Sequence, residues 1–203
     1  MIAYPLTIPL TATTRESSVM LIAASVVGIN QSPYSYNTQV YDYNSETWGL
    51  KVSINPLTRE EAQPWVAFIT ALRGRRGTFL FGPAIMKEPL GTGLGSPIVA
   101  GAGQVGRVLN TSGWAANSEV LKAGDLFQID QCLYMSLTSA ATNGSGVVSI
   151  DVFPSLKTHA ASSPVLVSSP VGIFRLTSNT TPVIDVSESG FFNINFEAEE
   201  ARG

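Results

Sequence analysis

Acyl transfer by a serine or cysteine nucleophile needs a base within hydrogen-bond reach, and in a chain with one histidine that base would have to be His159. Thr158, Ala160, Ala161 and Ser162 surround it, small loop residues rather than the strained elbow that lifts a nucleophile clear of its backbone. A solvated loop histidine is predicted. Cys132, the one cysteine, carries no local catalytic pattern, and alone it forms neither an internal disulfide nor a thiolate zinc cage. Asp125, Asp130 and Asp151 offer carboxylates at spacings that match no EF-hand loop or other closed cation cage, which predicts turn and strand-surface positions for them. Gly101-Ala102-Gly103-Gln104-Val105-Gly106 has the glycine spacing of a dinucleotide-binding turn. That spacing grips a pyrophosphate only where the third glycine opens a helix in a parallel α/β sheet. Here Arg107-Val108-Leu109 runs into Asn110-Thr111-Ser112-Gly113, and no further helix follows to cover such a sheet. The prediction is a plain glycine loop, with no catalytic residue, cofactor site or metal site. Tyr34, Tyr36, Tyr41, Tyr43 and Trp48 remain, either as a sugar- or protein-binding face or as ordinary cross-strand packing.

One helix would have to position such groups. Thr58 followed by Glu61 forms a capping box, and Ala62, Trp65, Val66, Ile69 and Leu72 recur as an apolar stripe with Phe68 on its flank. Pro64 perturbs the first turn. Gly74 is the predicted left-handed cap, and Arg73, Arg75 and Arg76 lie where the negative end of the helix dipole attracts cations. Thr78 to Phe81 then reads as a strand beside the helix, ended by Gly82-Pro83.

The remaining chain reads as strands. Tyr4 to Thr14, with Pro5 and Pro9, suits an extended arm or edge segment. Val19 to Ile29 is a continuous apolar run and reads as a buried strand. Val40 to Tyr43 and Trp48 to Ile54 read as two strands joined by an Asn44-Ser45-Glu46 hairpin loop, with Trp48, Leu50, Val52 and Ile54 on the buried face. After Gly82, glycines and prolines punctuate the chain up to Gly106. Leu126 to Ile129, Leu133 to Leu137 and Val147 to Val152 are then short strands, the last two predicted to pair across Asn143-Gly144. Ile173 to Thr177, Val183 to Ser187 and Phe191 to Glu197 close the chain, with a turn at Ser189-Gly190. Glu197-Ala198-Glu199-Glu200 reads as a solvated acidic tail. The predicted architecture is mainly β: an antiparallel β-sandwich with one packed helix, from residues 1–84 and 171–203, interrupted by a β-rich insert over 85–170. Such an insert would leave and rejoin the sandwich at neighbouring points and own a separate core.

Of 203 residues, 44% are hydrophobic and 13% charged, the latter about half the ~25% of an average soluble domain. The surface must then be covered by Ser, Thr, Asn and Gly or hidden by partners, and scarce charge favours an assembled protein. The net charge of −3, with basic residues clustered only after the helix, gives no footprint for nucleic acid. No basic, then apolar, leader is visible, and Val19 to Ile29 is shorter than the ~20 residues of a spanning helix.

Several segments together resemble the distal tail proteins of long-tailed, siphovirus-type bacteriophages. They are Ser32-Pro33-Tyr34-Ser35 with Gln39, the strand opening at Trp48, Pro56 to Ala62, Trp65, Phe68, Leu72-Arg73-Gly74 and Gly77-Thr78-Phe79. Ala123 to Gln128, Leu133-Tyr134, Gly146 and Pro154 are similar to the β insert of related tail proteins, and Phe196-Glu197-Ala198 to their closing strand. The resemblance implies a virion tail protein assembled in the host cytoplasm. It would self-associate as a ring, a hexamer, joining the tail-tube protein to the hub or tip protein, without catalysis, membrane insertion or sequence-specific nucleic-acid binding. The alternative is a carbohydrate-binding module touching host-surface sugars through Trp114 of the insert. An enzyme, third, would need acidic side chains converging on a cleft.

Overall fold

The computed structural model describes residues 2–9, 17–181, 184–186 and 190–202, and of Ser17 and Asn55 the backbone alone. In chain order these form β1 (Leu6–Thr7), β2 (Ser17–Gln31), β3 (Thr38–Leu57), α1 (Arg59–Leu72), β4 (Phe79–Phe81), β5 (Gly95–Val99) and β6 (Gly106–Trp114). Then come β7 (Glu119–Leu121), β8 (Leu126–Ile129), β9 (Cys132–Ser136), β10 (Ala140–Ala141), β11 (Val148–Leu156), β12 (Val165–Leu166), β13 (Gly172–Leu176) and β14 (Phe192–Glu200). The described residues are mainly β with one α-helix, as the alternating patterns demand.

The first sheet has the order β1-β4-β13-β14-β3-β2, antiparallel except for the parallel β1–β4 pair. Alternation in β3 puts Trp48, Leu50, Val52 and Ile54 on one buried face, and α1 covers it with Ala62, Trp65, Phe68, Ile69 and Leu72. Phe68 belongs to the buried stripe, while Val66 is only partly covered. Removing a Leu- or Phe-sized side chain from water contributes about 1.5 to 3 kcal/mol, so this face holds helix and sheet together. The Glu61 carboxylate accepts the Thr58 backbone N–H at 2.9 Å, completing the capping box. At the other end Arg73 itself takes the left-handed conformation (φ 53°) ahead of Gly74 (φ 65°), so the cap starts one residue earlier than the glycine suggested. Arg75 reaches Glu199 at 3.1 Å instead of serving the helix dipole alone.

The second sheet runs β12-β8-β9-β11-β6-β5, with β7 and β10 as a small pair beside it. Its outer strands meet: Val99 N–H donates to Ser163 O and Ser162 N–H to Val99 O, each at 3.0 Å, and Ile98 bridges Pro164. The sheet thereby closes into a small barrel around Leu109, Phe127, Ile129, Tyr134, Ile150 and Val152.

Several expectations are overturned. β2 is a strand but not a buried one, since it forms the sheet's edge and Met20, Ile22, Val26, Val27 and Ile29 are exposed. Asn44-Ser45-Glu46 is no hairpin loop. β3 runs continuously through it, with Tyr43 and Asn44 bulged out between the Val26–Ser45 and Val27–Asp42 pairs, and Asn44 is left-handed. Arg107 to Gly113 forms the long strand β6, because Thr111 is satisfied within the barrel by donating to Val148 O. β11 pairs chiefly with β6 and meets β9 only at Val152–Ser136 and Phe153–Met135. The acidic end is not a tail: the alternation of Ile194 and Phe196 continues through Ala198 to a buried Glu200 in β14. Of the Val183 to Ser187 strand, Val186 makes a single bridge to Phe192. The readings of residues 10–14, Val183, Ser187 and Ser189 lie outside the described residues. The segment before them is an edge segment, as one of its two readings had it: β1 lies at the sheet's margin beside β4, and the Tyr4 hydroxyl donates to Ala71 O at 2.7 Å.

Residues 6–81 and 172–200 build the first sheet and 95–166 the barrel. Phe81 pairs with Gly172, so the chain leaves and rejoins the first sheet at adjacent points. Yet Leu126 and Leu133 pack into the first sheet's core, and the Trp48 indole donates to Leu133 O at 3.0 Å. Replacing residues 87–168 by a short Gly/Ser linker is therefore expected to cost on the order of 5 kcal/mol in urea unfolding, as two core leucines go and Trp48 is uncovered. An unchanged unfolding midpoint would show that the barrel adds nothing to the first core.

Candidate assembly surface

Between Glu16 and Asp42 no residue carries a charge. This uncharged stretch folds back on itself as the β2–β3 hairpin, turning at residues 32–37. Beyond the bulge the two strands pair only with each other, and every residue from Pro33 to Ser45 is exposed. The hairpin is thus an arm projecting from the sheet. Register places Val27, Ile29 and Val40 on one face, with Ile29 71% and Val40 60% exposed. Tyr41 and Gly28 stand opposite each other on the other face, and the Tyr43 ring covers Gly28, whose added Cβ would lie 3.4 Å from it. Tyr34, 97% exposed, and Tyr36 occupy the tip. Outward-facing apolar side chains on a long edge strand without lysine or proline form a template for another chain unless something covers them.

The base of the arm is tied down by charge. Arg107 of β6 contacts Asp42 Oδ2 and Glu46 Oε1, each at 2.7 Å, and its hydrogen bond holds the Asp42 carboxyl below its ordinary range. Ser155 of β11 donates its backbone N–H to Glu46 Oε2 at 2.8 Å and its hydroxyl to Asn44 O at 3.0 Å. Arg202 donates to Ser155 O at 2.9 Å and Glu46 O at 3.2 Å while lying 5.4 Å over the Tyr134 ring. Its Nε is 3.0 Å from Glu200 Oε2, an ion-pair contact not aligned as a hydrogen bond. Glu200 accepts the Leu133 N–H at 3.0 Å, and burial pushes its carboxyl above the ordinary value although Arg202 opposes this.

The residues with chemical potential fall elsewhere. His159 is buried, against expectation, because the loop after β11 closes the barrel over Tyr134. Its Nδ1 lies 2.9 Å from Asp130 Oδ2 and its Nε2 2.9 Å from the Tyr134 hydroxyl, which also accepts the Lys157 N–H. An acceptor-only carboxylate assigns the ring proton to Nδ1, leaving Nε2 to accept from the tyrosine. Every group is satisfied, and burial raises the Tyr134 hydroxyl well above its ordinary value. This constellation latches the barrel, with fully buried Tyr134 unreachable by a substrate. Asp125, also buried, accepts backbone N–H groups of Leu90, Gly91 and Lys122 and staples a loop. Asp151 is exposed and takes a 3.3 Å bond from Thr138. Burial raises the Cys132 thiol, which weakens it as a nucleophile. In the glycine loop the third glycine opens β6, a strand, and Gln104 spans the turn through Ala100 O, Asn110 O and the Asn110 N–H. The pyrophosphate geometry is absent there. No group of three metal-ligating side chains occurs among the described residues.

An apolar cleft of about 870 Å³ lies under β2, lined by Trp48, Val52, Ile54, Trp65, Phe81 and Met135 among others. It lacks the convergent polar groups that orient a small ligand. Trp114 is buried, its indole donating to Thr111 at 2.8 Å, so it offers no stacking platform for a sugar. Among the described residues no helix is long and apolar enough to cross a membrane. No protein-family model matches the chain, and no curated protein matches it in sequence.

Proposed function

We propose that this chain is a structural protein of a phage tail tip, self-associating as a ring, a hexamer, between the tail-tube protein and the hub or tip protein. Its place is the virion tail, assembled in the host cytoplasm, and it performs no catalysis. One observation carries the reading: the projecting β2–β3 arm exposes Val27, Ile29 and Val40 with no charge between Glu16 and Asp42. A protein living alone in water would be expected to blunt such an edge. Sedimentation and electron microscopy of the purified protein, with and without tube or hub protein, are expected to reveal rings. Ile29→Asp with Val40→Lys is expected to abolish them while changing folding stability by no more than about 0.5 kcal/mol, since both sites are exposed. Strict monomer behaviour under all conditions would overturn the proposal.

A second reading, a carbohydrate-binding module, rests on the exposed rings of Tyr34 and Tyr36 at the arm tip rather than on Trp114. Binding of cell-wall glycans that Tyr34→Ala abolishes, in a protein that forms no ring, would favour it.

A further inference from the structure

The arm leaves the sheet at a bulge, and a bulge is where a strand bends. Left to itself, a two-stranded ribbon at such a hinge has no fixed direction, because pairing within the ribbon says nothing about its angle to the body. One guanidinium straddles this hinge. Arg107 contacts Asp42 on the arm side of Asn44 at 2.7 Å and Glu46 on the body side at 2.7 Å, with its Nε 2.8 Å from the same Glu46 oxygen. The Glu46 side chain, 8% exposed, is itself held by the Ser155 N–H, and the bulged Asn44 carbonyl accepts the Ser155 hydroxyl. Both anchoring residues, on β6 and β11, belong to the barrel.

We infer that the barrel is a brace for the arm, with Arg107 as the positioning residue that fixes the arm's direction across the bulge, so that barrel and arm meet a partner as one rigid unit. A planar fork suits this role, since it holds two carboxylates at a set angle where an ammonium holds one. Exposed ion pairs contribute little singly, but a forked arginine in a network with a nearly buried glutamate is the arrangement in which they count. The inference concerns the arm's geometry. Only its consequence, that a loosened arm assembles poorly, rests on the ring reading above.

The test is a distance measurement. Spin labels at Asn37→Cys on the arm and Ser145→Cys on the barrel, in a Cys132→Ser background, are expected to give one narrow distance distribution. Arg107→Met is expected to broaden it and to speed amide exchange over residues 40–46 by about tenfold. Exchange in β9 and β14 is expected to stay unchanged, because Arg107 lies outside both cores. Asp42→Asn, at an exposed site, is expected to broaden the distribution in the same direction and serves if Arg107→Met does not fold. A distribution as narrow as the parent's in either folded variant, with unaltered exchange, would overturn the inference. A parent protein that forms no ring counts against the ring reading and leaves the distance result standing.

Discussion

Replacing Trp65 by alanine is expected to cost about 3 to 5 kcal/mol, the range for a large aromatic removed from a packed core. The residue is 3% exposed, joins α1 to the first sheet, and has Phe68 edge-on at 6.0 Å and Phe196 at 6.3 Å. The indole N–H meanwhile has no hydrogen-bond partner among the described residues. A buried unpaired donor costs about 1 to 3 kcal/mol, so Trp65→Phe removes a liability together with some packing. Its net loss is expected below about 1.5 kcal/mol. Urea unfolding of both variants separates the contributions. An alanine variant losing less than about 1 kcal/mol would show that the helix is not anchored there.

Arg202→Ala is expected to cost about 3 to 5 kcal/mol near neutral pH, because it strands a buried carboxylate. The Glu200 side chain is 2% exposed, and its counter-ion is Arg202. The sign with pH follows from the raised carboxyl. The folded state holds the Glu200 proton above the ordinary value of 4.5 where the unfolded state has lost it, so this group's stabilising effect falls as pH rises through that window. Without Arg202 to stabilise the anion, the window widens. The variant's deficit is therefore expected to shrink as pH is lowered towards 4.5, where Glu200 goes neutral. Equal deficits in acid and at neutral pH would show that Arg202 acts through its stacking on Tyr134 and its carbonyl contacts instead.

Where local chemistry and tertiary packing agree, the fold was legible. The Thr58–Glu61 box, the stripe from Ala62 to Leu72 and the alternation from Trp48 to Ile54 all lie where their patterns put them, because each is a short-range rule tied to one buried face. β2 misled for a physical reason: a continuous apolar run looks the same whether its second face meets a core or awaits a partner. The Asn44 bulge was hidden because one left-handed asparagine between polar residues also marks a tight turn. β6 was masked by Asn110 to Gly113, a run that breaks strands in isolation and is rescued here by partners far along the chain. Glu200 was readable after all, since the alternation through Ile194, Phe196 and Ala198 points it inward, and only its company with Glu197 and Glu199 suggested solvent. At the candidate surface the uncharged span was visible in the sequence. The Arg107 brace was not, because Arg107 and Glu46 meet across 61 positions.

The position of β14 has a consequence for how the molecule comes into being. It sits between β3 and β13, and its side-chain bond between Asn195 and Ser53 spans 142 positions. During synthesis the β2–β3 hairpin, made of local contacts, can form at once, while the strand that flanks it on the inner side emerges only after the whole barrel. Until then the hairpin has two open edges, and closure of so long a loop makes the last step of sheet formation slow. The apolar strand β2 is thus made well before the strand that completes its sheet, and exposed apolar surface and unpaired strand edges are what make incomplete chains prone to aggregate. Lower expression temperature is expected to raise the soluble yield of this protein.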